Sequence, residues 1–488
     1  MTAPVRREHP RWGLAVLTLP VILVSMDFSV LYLAMPTITE ALEPSATAEL
    51  WVLDIYGFLI AGLLITMGNV GDRIGRRRIL LAGAAVFGVA SVLAAFAPSA
   101  GFLIAARALM GVGGATLLPS SLSLIANMFP DPGERGRAIG VWTAAFAGGA
   151  AVGPVIGGVL LHHFWWGSVF LINLPVLAVL FLAGPVLLPE FRAATTHRFD
   201  VAGVAFSLLG ILPAVYAVKT IAAEGFSPTR LGVGIVGLVM LAVFLGWERR
   251  VDDPLLKLSL FGNPAFSAAV AAAFFGMFAQ GGMAYLGNVY LQSVLGHDVL
   301  AAALAGLPMA VTVAVFSVGA DRVKRLLGVR TALAAAVLLA GLGNLGFLFL
   351  SPGTPIAVFL ATTALAGIGY GVQFALVSDV VVAAAPPEQS GAAAGTSETC
   401  FELGTAMGLA VLGSVATAVF LAGDHGRGFG DSLGETLHRA GDAGPAGQAL
   451  AEAARSAWVD GLHVAAGVSG GVLVVLAAVV AIALRRLS

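Results

Sequence analysis

The sequence predicts an all-α integral membrane protein, and three observations carry that prediction. Of the 488 residues, 58% are hydrophobic and only 11% are charged, against roughly 25% charge in soluble domains. The apolar residues gather in runs of about twenty, the length a helix needs to cross a hydrocarbon core of about 30 Å. The runs lack the period-2 alternation of a barrel, and lipid offers the backbone no partner, so each run must be a helix. The net charge of −1 points to no partner, nucleic acid included. Cys400 is the single cysteine, which excludes an intramolecular disulfide.

The elements follow in order. The N-terminus MTAPVRREHPRW is short, polar and basic, and it flows into a run too long for a signal-peptide core, so the first span is read as uncleaved. Fourteen spans are predicted, at 12–34, 50–70, 79–97, 101–125, 137–160, 167–188, 200–219, 231–248, 265–291, 300–319, 331–350, 355–384, 394–421 and 461–484. With the N-terminus inside, 20 Lys and Arg residues fall on inner segments and 5 on outer ones, so both termini are placed in the cytoplasm. GNVGDRIGRRR (Gly68–Arg78) follows span two, and GADRVKRLLGVR (Gly319–Arg330), a degraded copy, follows span ten. Setting aside spans seven and eight leaves six helices on each side, the repeat logic of transporters. The division is 1–188, an N-terminal six-helix bundle; 189–260, an inserted pair with its linkers; and 261–488, a C-terminal six-helix bundle. One long outer segment, about 423–460, is read as either a tether or a functional element, with a short amphipathic helix near Ala446–Val459.

Charges inside the spans are the sharpest signal. A mid-membrane charge costs on the order of 2.5–3.5 kcal/mol even on insertion scales, so such residues face a cavity or a partner. Asp27, Asp54, Arg107, Glu398 and Glu402 qualify, with Asp379 nearer the inner end of span twelve. Counting residues from the span ends puts Asp27, Asp54 and Arg107 in the outer part of the N-terminal half, where Arg107 can pair with either acid. Glu398 and Glu402 lie one turn apart on one helical face. One interior arginine cannot neutralise four or five acids, so a purely structural ion-pair network does not account for them. Carboxylates in such a place can exchange a cation for a proton, and Phe28, Tyr32, Trp51, Tyr56 and Phe401 are candidate aromatic faces for an organic cation or, equally, packing residues. His162 and His163 are adjacent on a helix, point apart and read as interfacial.

These motifs resemble a known family. Gly68, Asp72, Arg73, Gly75, Arg76 and Arg77 match the inner-loop GxxxDRxGRR signature of the major facilitator superfamily, and Arg107 its fourth-helix arginine. Gly149, Gly153, Pro154, Gly157 and Gly158 match the GxxxGPxxGG antiporter motif. Fourteen spans, and WWGSVFLINLPV at Trp165–Val176, are similar to the fourteen-helix drug:proton antiporters. The acids resemble the branch that exports quaternary ammonium compounds, ethidium and methyl viologen, with Ser29 where that branch usually has Thr. The resemblance implies a monomeric transporter of the plasma membrane, two six-helix halves plus two inserted helices, and no enzymatic activity. It implies a cytoplasmic gating latch at Gly68–Arg77, and a dry seam at Gly149–Gly158. Plain topology signalling and plain packing remain open for those two motifs.

The expected function is proton-coupled export of lipophilic cations by alternating access, driven by the proton gradient with no cofactor and no metal. The alternatives are a dedicated exporter of one metabolite or antibiotic, and, more remotely, a membrane sensor that transports nothing.

Overall fold

The computed structural model describes residues 10–487, apart from positions 45, 193–199, 225, 252–253, 255, 257, 298, 387–389, 425, 427, 431 and 443–444. Side chains at a few helical positions, among them Tyr32, Asp54 and Pro154, also lie outside the described set. The described residues form helices and no strands. In chain order they are α1 (Pro10–Leu42), α2 (Ala46–Ile74), α3 (Arg76–Ala95), α4 (Ala100–Met128), α5 (Pro132–His163), the short α6 (Ser168–Leu171), α7 (Asn173–Leu187), α8 (Val201–Glu224), α9 (Pro228–Glu248), α10 (Pro264–Val289), α11 (Val299–Leu345), α12 (Ile356–Ala384), α13 (Ser390–Ala422), α14 (Leu433–Asp442) and α15 (Pro445–Ala483).

Local chemistry sets the ends. Ser99 caps α4 by accepting from the Phe102 amide. Asp131 caps α5 by accepting from the Glu134 amide at 2.9 Å, with Pro132 in the first turn. Asn263 does the same for α10, followed by Pro264. Among the described residues are thirteen helical stretches long and apolar enough to cross a membrane, α6 and α7 together making one of them. The longest, α11, has 47 residues, about 70 Å at 1.5 Å per residue, more than twice a bilayer core. It breaks at Gly328, whose φ of 75° no ordinary side chain adopts readily, and the break lies between the two spans that the sequence predicts there. Gly75, φ 121°, makes the corresponding break between α2 and α3.

One correction concerns the outer segment. The amphipathic helix is α14 at Leu433–Asp442, and Ala446–Val459 is instead the first stretch of α15. Leu433 and Leu437, at i and i+4, pack into the same core as Phe420 and Trp458, and Ala440, at i+7, is buried. Ala454, Ala457, Trp458 and Leu462 continue that buried face into the span, so the helix starts well before the apolar run.

Buried side chains from α1 through α7 make one apolar core, and those from α10 through α15 make two more. Helices meet backbone to backbone at small residues, as lipid-embedded helices do. A Cβ on Gly113 of α4 would lie 2.7 Å from the Gly83 carbonyl oxygen of α3. The pair α8–α9 stands on the seam between these assemblies: Ile211 and Val215 of α8 pack with Phe58 and Ala61 of α2 and with Ala406 of α13.

Candidate functional site

The first site grows from the sequence LMGVGGA. Gly111 and Gly114 let α4 lie directly against α2; a Cβ on Gly111 would come within 2.8 Å of the Tyr56 carbonyl oxygen. One turn earlier, that contact sets Arg107 beneath Tyr56, its guanidinium carbon 4.4 Å from the ring centroid. Arg107 is wholly buried and its Nη1 donates to the buried Asp27 carboxylate, while Nε reaches the Val52 carbonyl at 3.4 Å. Phe28 packs against Tyr56 with its ring tilted, at 4.8 Å between ring centroids. The structure pairs Arg107 with Asp27. Asp54 and Tyr32 are on α2 and α1, with side chains outside the described set. Tyr56 and Phe28 are the aromatic neighbours of this pair. Trp51 turns to the inserted pair, stacking on Tyr216 of α8 at 5.7 Å.

The second site is a cavity of about 490 Å³ between the two assemblies. Glu398, Phe401 and Glu402 of α13 line it, so the one-turn spacing does place both carboxylates on one wall. Glu398 is buried, and its Oε1 has no hydrogen-bond partner among the described residues. Phe374 packs edge-on to Phe401 at 5.5 Å. Trp142 and Phe146 face the acids from α5, and Met277 and Gln280 from α10. Sequence reasoning missed these four. An aromatic or methionine in an apolar helix fits lipid, core or cavity alike, and only the nearness of Trp142 to the antiporter motif was available as a signal.

Asp379 does not line this cavity. Its neighbour Ser378 does, whereas Asp379 is held by Arg135 at 3.1 Å and Lys324 at 2.5 Å. Asp379 thus stands in a buried ion cluster at the end that carries the two basic loops. Next to it, Asp321 lies 3.7 Å from Arg137 and 3.3 Å from Arg325. Both clusters join α5 to the C-terminal assembly. In the first basic loop, by contrast, Asp72 pairs with Arg76, and Arg76 Nη1 donates to the Gly68 carbonyl at 2.9 Å. Arg77 donates to the Pro185 and Leu188 carbonyls at 3.1 and 3.0 Å and lies 3.6 Å from Glu190. Arg73 ends α2. The described contacts of Arg76 and Arg77 thus tie the motif to its own bundle, while Arg135 and Arg137 reach the other.

The glycine stripe of α5 packs on α1. A Cβ on Gly149 would stand 2.8 Å from the Ile22 carbonyl oxygen, and one on Gly153 would stand 3.1 Å from that of Met26. Gly157 is buried and Gly158 half-buried further along the same helix, which continues without interruption through Pro154. Against α11, α5 behaves like one arm of a fork. At the basic end, Gly140 lies against the backbone of Ser317 and Val318. Toward the other end, Gly148 and Gly306 each face open space, and Val155 and Leu304 line the cavity while 61% and 52% exposed. Ser123 and Ser390 meet at 2.7 Å across the closed end, both fully or nearly buried.

A family model described as Major Facilitator Superfamily matches residues 17–409. Over 485 residues the chain is 39% identical to "Multidrug efflux pump LfrA" of Mycolicibacterium smegmatis, covering 97% of this chain and 96% of that protein. It is 31% identical over 475 residues to "Methyl viologen resistance protein SmvA" of Salmonella typhimurium, covering 95% and 96%. It is 34% identical over 447 residues to "Puromycin resistance protein pur8" of Streptomyces alboniger, covering 90% and 88%. The crystal structure of the human organic anion transporter MFSD10 superposes with a TM-score of 0.63 at 18% identity, over 95% of this chain and 100% of that one, a likeness of fold. Buried intramembrane charges, a cavity between two helical assemblies and these matches agree: the chain belongs to the Major Facilitator Superfamily, a multi-pass transporter of the plasma membrane and not an enzyme.

Proposed function

We propose that this transporter is a proton-coupled antiporter exporting hydrophobic organic cations, such as quaternary ammonium compounds, dyes, biguanides and methyl viologen, by alternating access. The observation that carries this reading is Glu398, a buried carboxylate in an aromatic-walled cavity with one oxygen unpartnered among the described residues. The relatives named above are efflux or resistance proteins, and the chain spans nearly all of each; at that coarser level it is a drug exporter.

With the basic end in the cytoplasm, as the charge distribution predicts, the closed fork faces inward and the cavity faces outward. A cation resting on Glu398, Glu402 and the rings of Phe401 and Phe374 is released when protons arriving from outside neutralise the carboxylates. The halves then rock, the protons leave to the cytoplasm, and the bared acids take the next cation. Asp27 and Arg107 couple to this cycle. A proton on Asp27 leaves the Arg107 charge uncompensated, which favours a shift of α4 against α1. Asp54 shares the cation-and-proton role that the resemblance implies. The proton gradient supplies the energy, with no cofactor.

The test uses inside-out vesicles with an acidic lumen. Adding ethidium to wild-type vesicles should dissipate the gradient. Vesicles carrying Glu398→Gln with Glu402→Gln, or Asp27→Asn, or Asp54→Asn, should hold it. A wild-type gradient indifferent to every cation tried would overturn the reading.

A further inference from the structure

The acidic cavity does not end at the acids. It continues into a second lobe of about 510 Å³ that shares Gln280, Ala284, Ala303, Gly306 and Met309 with the first. The two lobes differ in chemistry. Among the described residues that line the second there is no charged side chain; the polar ones include Gln280, Asn288, Gln292, Asn344, Thr363 and Tyr370. On α10, Gln280, Ala284, Gly287, Asn288 and Leu291 follow at i, i+4, i+7, i+8 and i+11, one continuous face. Gln280 to Asn288 is about 12 Å along that face at 1.5 Å per residue, leading away from the acids.

Most of these groups are already engaged. Gln292 Nε2 donates to Asn288 Oδ1 at 2.8 Å, Asn344 Nδ2 donates to Tyr370 Oη at 2.9 Å, and Thr363 donates to the Phe359 carbonyl at 2.8 Å. Gln280 differs. It stands at the junction, lines both lobes, and makes no hydrogen bond to another described residue. An amide offers two donors and an acceptor, and none of them is used among the described residues.

Resting on the cation-export reading above, we infer that the second lobe is a neutral, hydrogen-bonding subsite, with Gln280 as its specificity-determining residue. The favoured substrate is an elongated monocation: its charge sits at Glu398 and Glu402, and its far end is polar but uncharged. A compact dication with both charges within one helical turn fits the two glutamates. A bis-cation with a long spacer does not, because its second charge is buried among amides and rings with no acid among the described lining residues.

Competition binding on the full chain in nanodiscs tests this, with ethidium as the displaced probe. Three ligands are compared: decyltrimethylammonium, the same chain ending in a primary carboxamide, and the same chain ending in a second trimethylammonium. The carboxamide should bind about tenfold tighter than the bis-quaternary compound. Gln280→Leu should weaken the carboxamide about fivefold more than it weakens decyltrimethylammonium. Gln280→Glu should tighten the bis-quaternary ligand. Equal binding of the carboxamide and the bis-quaternary ligand by the wild type, or equal weakening of all three ligands by Gln280→Leu, would overturn the inference. If decyltrimethylammonium itself does not bind protein of normal melting temperature, the cation-export reading falls, and this inference with it.

Discussion

Asp27 and Arg107 show what one buried charge demands of its surroundings. Breaking a buried pair by removing one partner typically costs about 3–5 kcal/mol, because the other charge is stranded. Asp27→Asn should therefore lower the melting temperature, and adding Arg107→Leu should recover much of the loss; a double variant as unstable as the sum of the singles would mean the pair is not coupled. The glutamates behave differently, since a proton and a cation compete for the same oxygens. Cation affinity should fall as pH falls in the wild type, and the slope should flatten in Glu398→Gln with Glu402→Gln. At this scale the sequence was legible wherever a residue contradicted its neighbours. A carboxylate in an apolar run has few explanations, and simple depth counting put Arg107 level with Asp27. The pairing of Asp379 with Arg135 and Lys324 was not legible, because residue counting gives depth along a helix and not the side it faces. The aromatics were illegible for the same reason, so Tyr56 proved to be the platform for Arg107 while Trp142 and Phe374 went unnoticed.

Between elements, small residues decide how close two helices come. Gly140 is where α5 touches α11, with Ser317 and Val318 backbone atoms 3.0 and 3.1 Å from the position of a Cβ. Gly140→Val should wedge the closed end apart. The readout is a cysteine at Ser390, buried against Ser123, introduced with Cys400→Ala. Its labelling by a small thiol reagent should rise several-fold in the Gly140→Val background, and unchanged labelling would show that the contact does not hold the end closed. The span pattern was readable because length and apolarity suffice for it. The break in α11 was foreseen from the second basic loop, and Gly328 supplies its backbone reason. The continuity of Ala446–Val459 with the last span was not foreseen, because only one face, with Ala454, Ala457 and Trp458, is buried against neighbouring helices, and hydropathy cannot see those neighbours.

For the whole molecule, the counting of lysines and arginines makes a claim that labelling can check. A cysteine at Ser432, exposed just before α14, should react with an impermeant reagent in intact cells. A cysteine at Arg485, beyond α15, should react only after permeabilisation. The opposite pattern would invert the proposed direction of transport. Repeats and motifs announced the family before any coordinates, whereas the cavity could not be read, since its wall draws on α5, α10, α11, α12 and α13 at once.

The place of α8 has its own consequence. It leans on α2 and α13 together, along one of the two lines where the assemblies meet. Along the other line, α5 and α11 touch near the basic end and part above it. Seen from above the membrane, the molecule is bound like a book, with a spine at α8 and a fore-edge at the parted helices. Pages turn most freely at the fore-edge, so the two sides of the cleft are not equivalent: a greasy molecule approaching sideways through the bilayer meets a cover on one flank and a gap on the other.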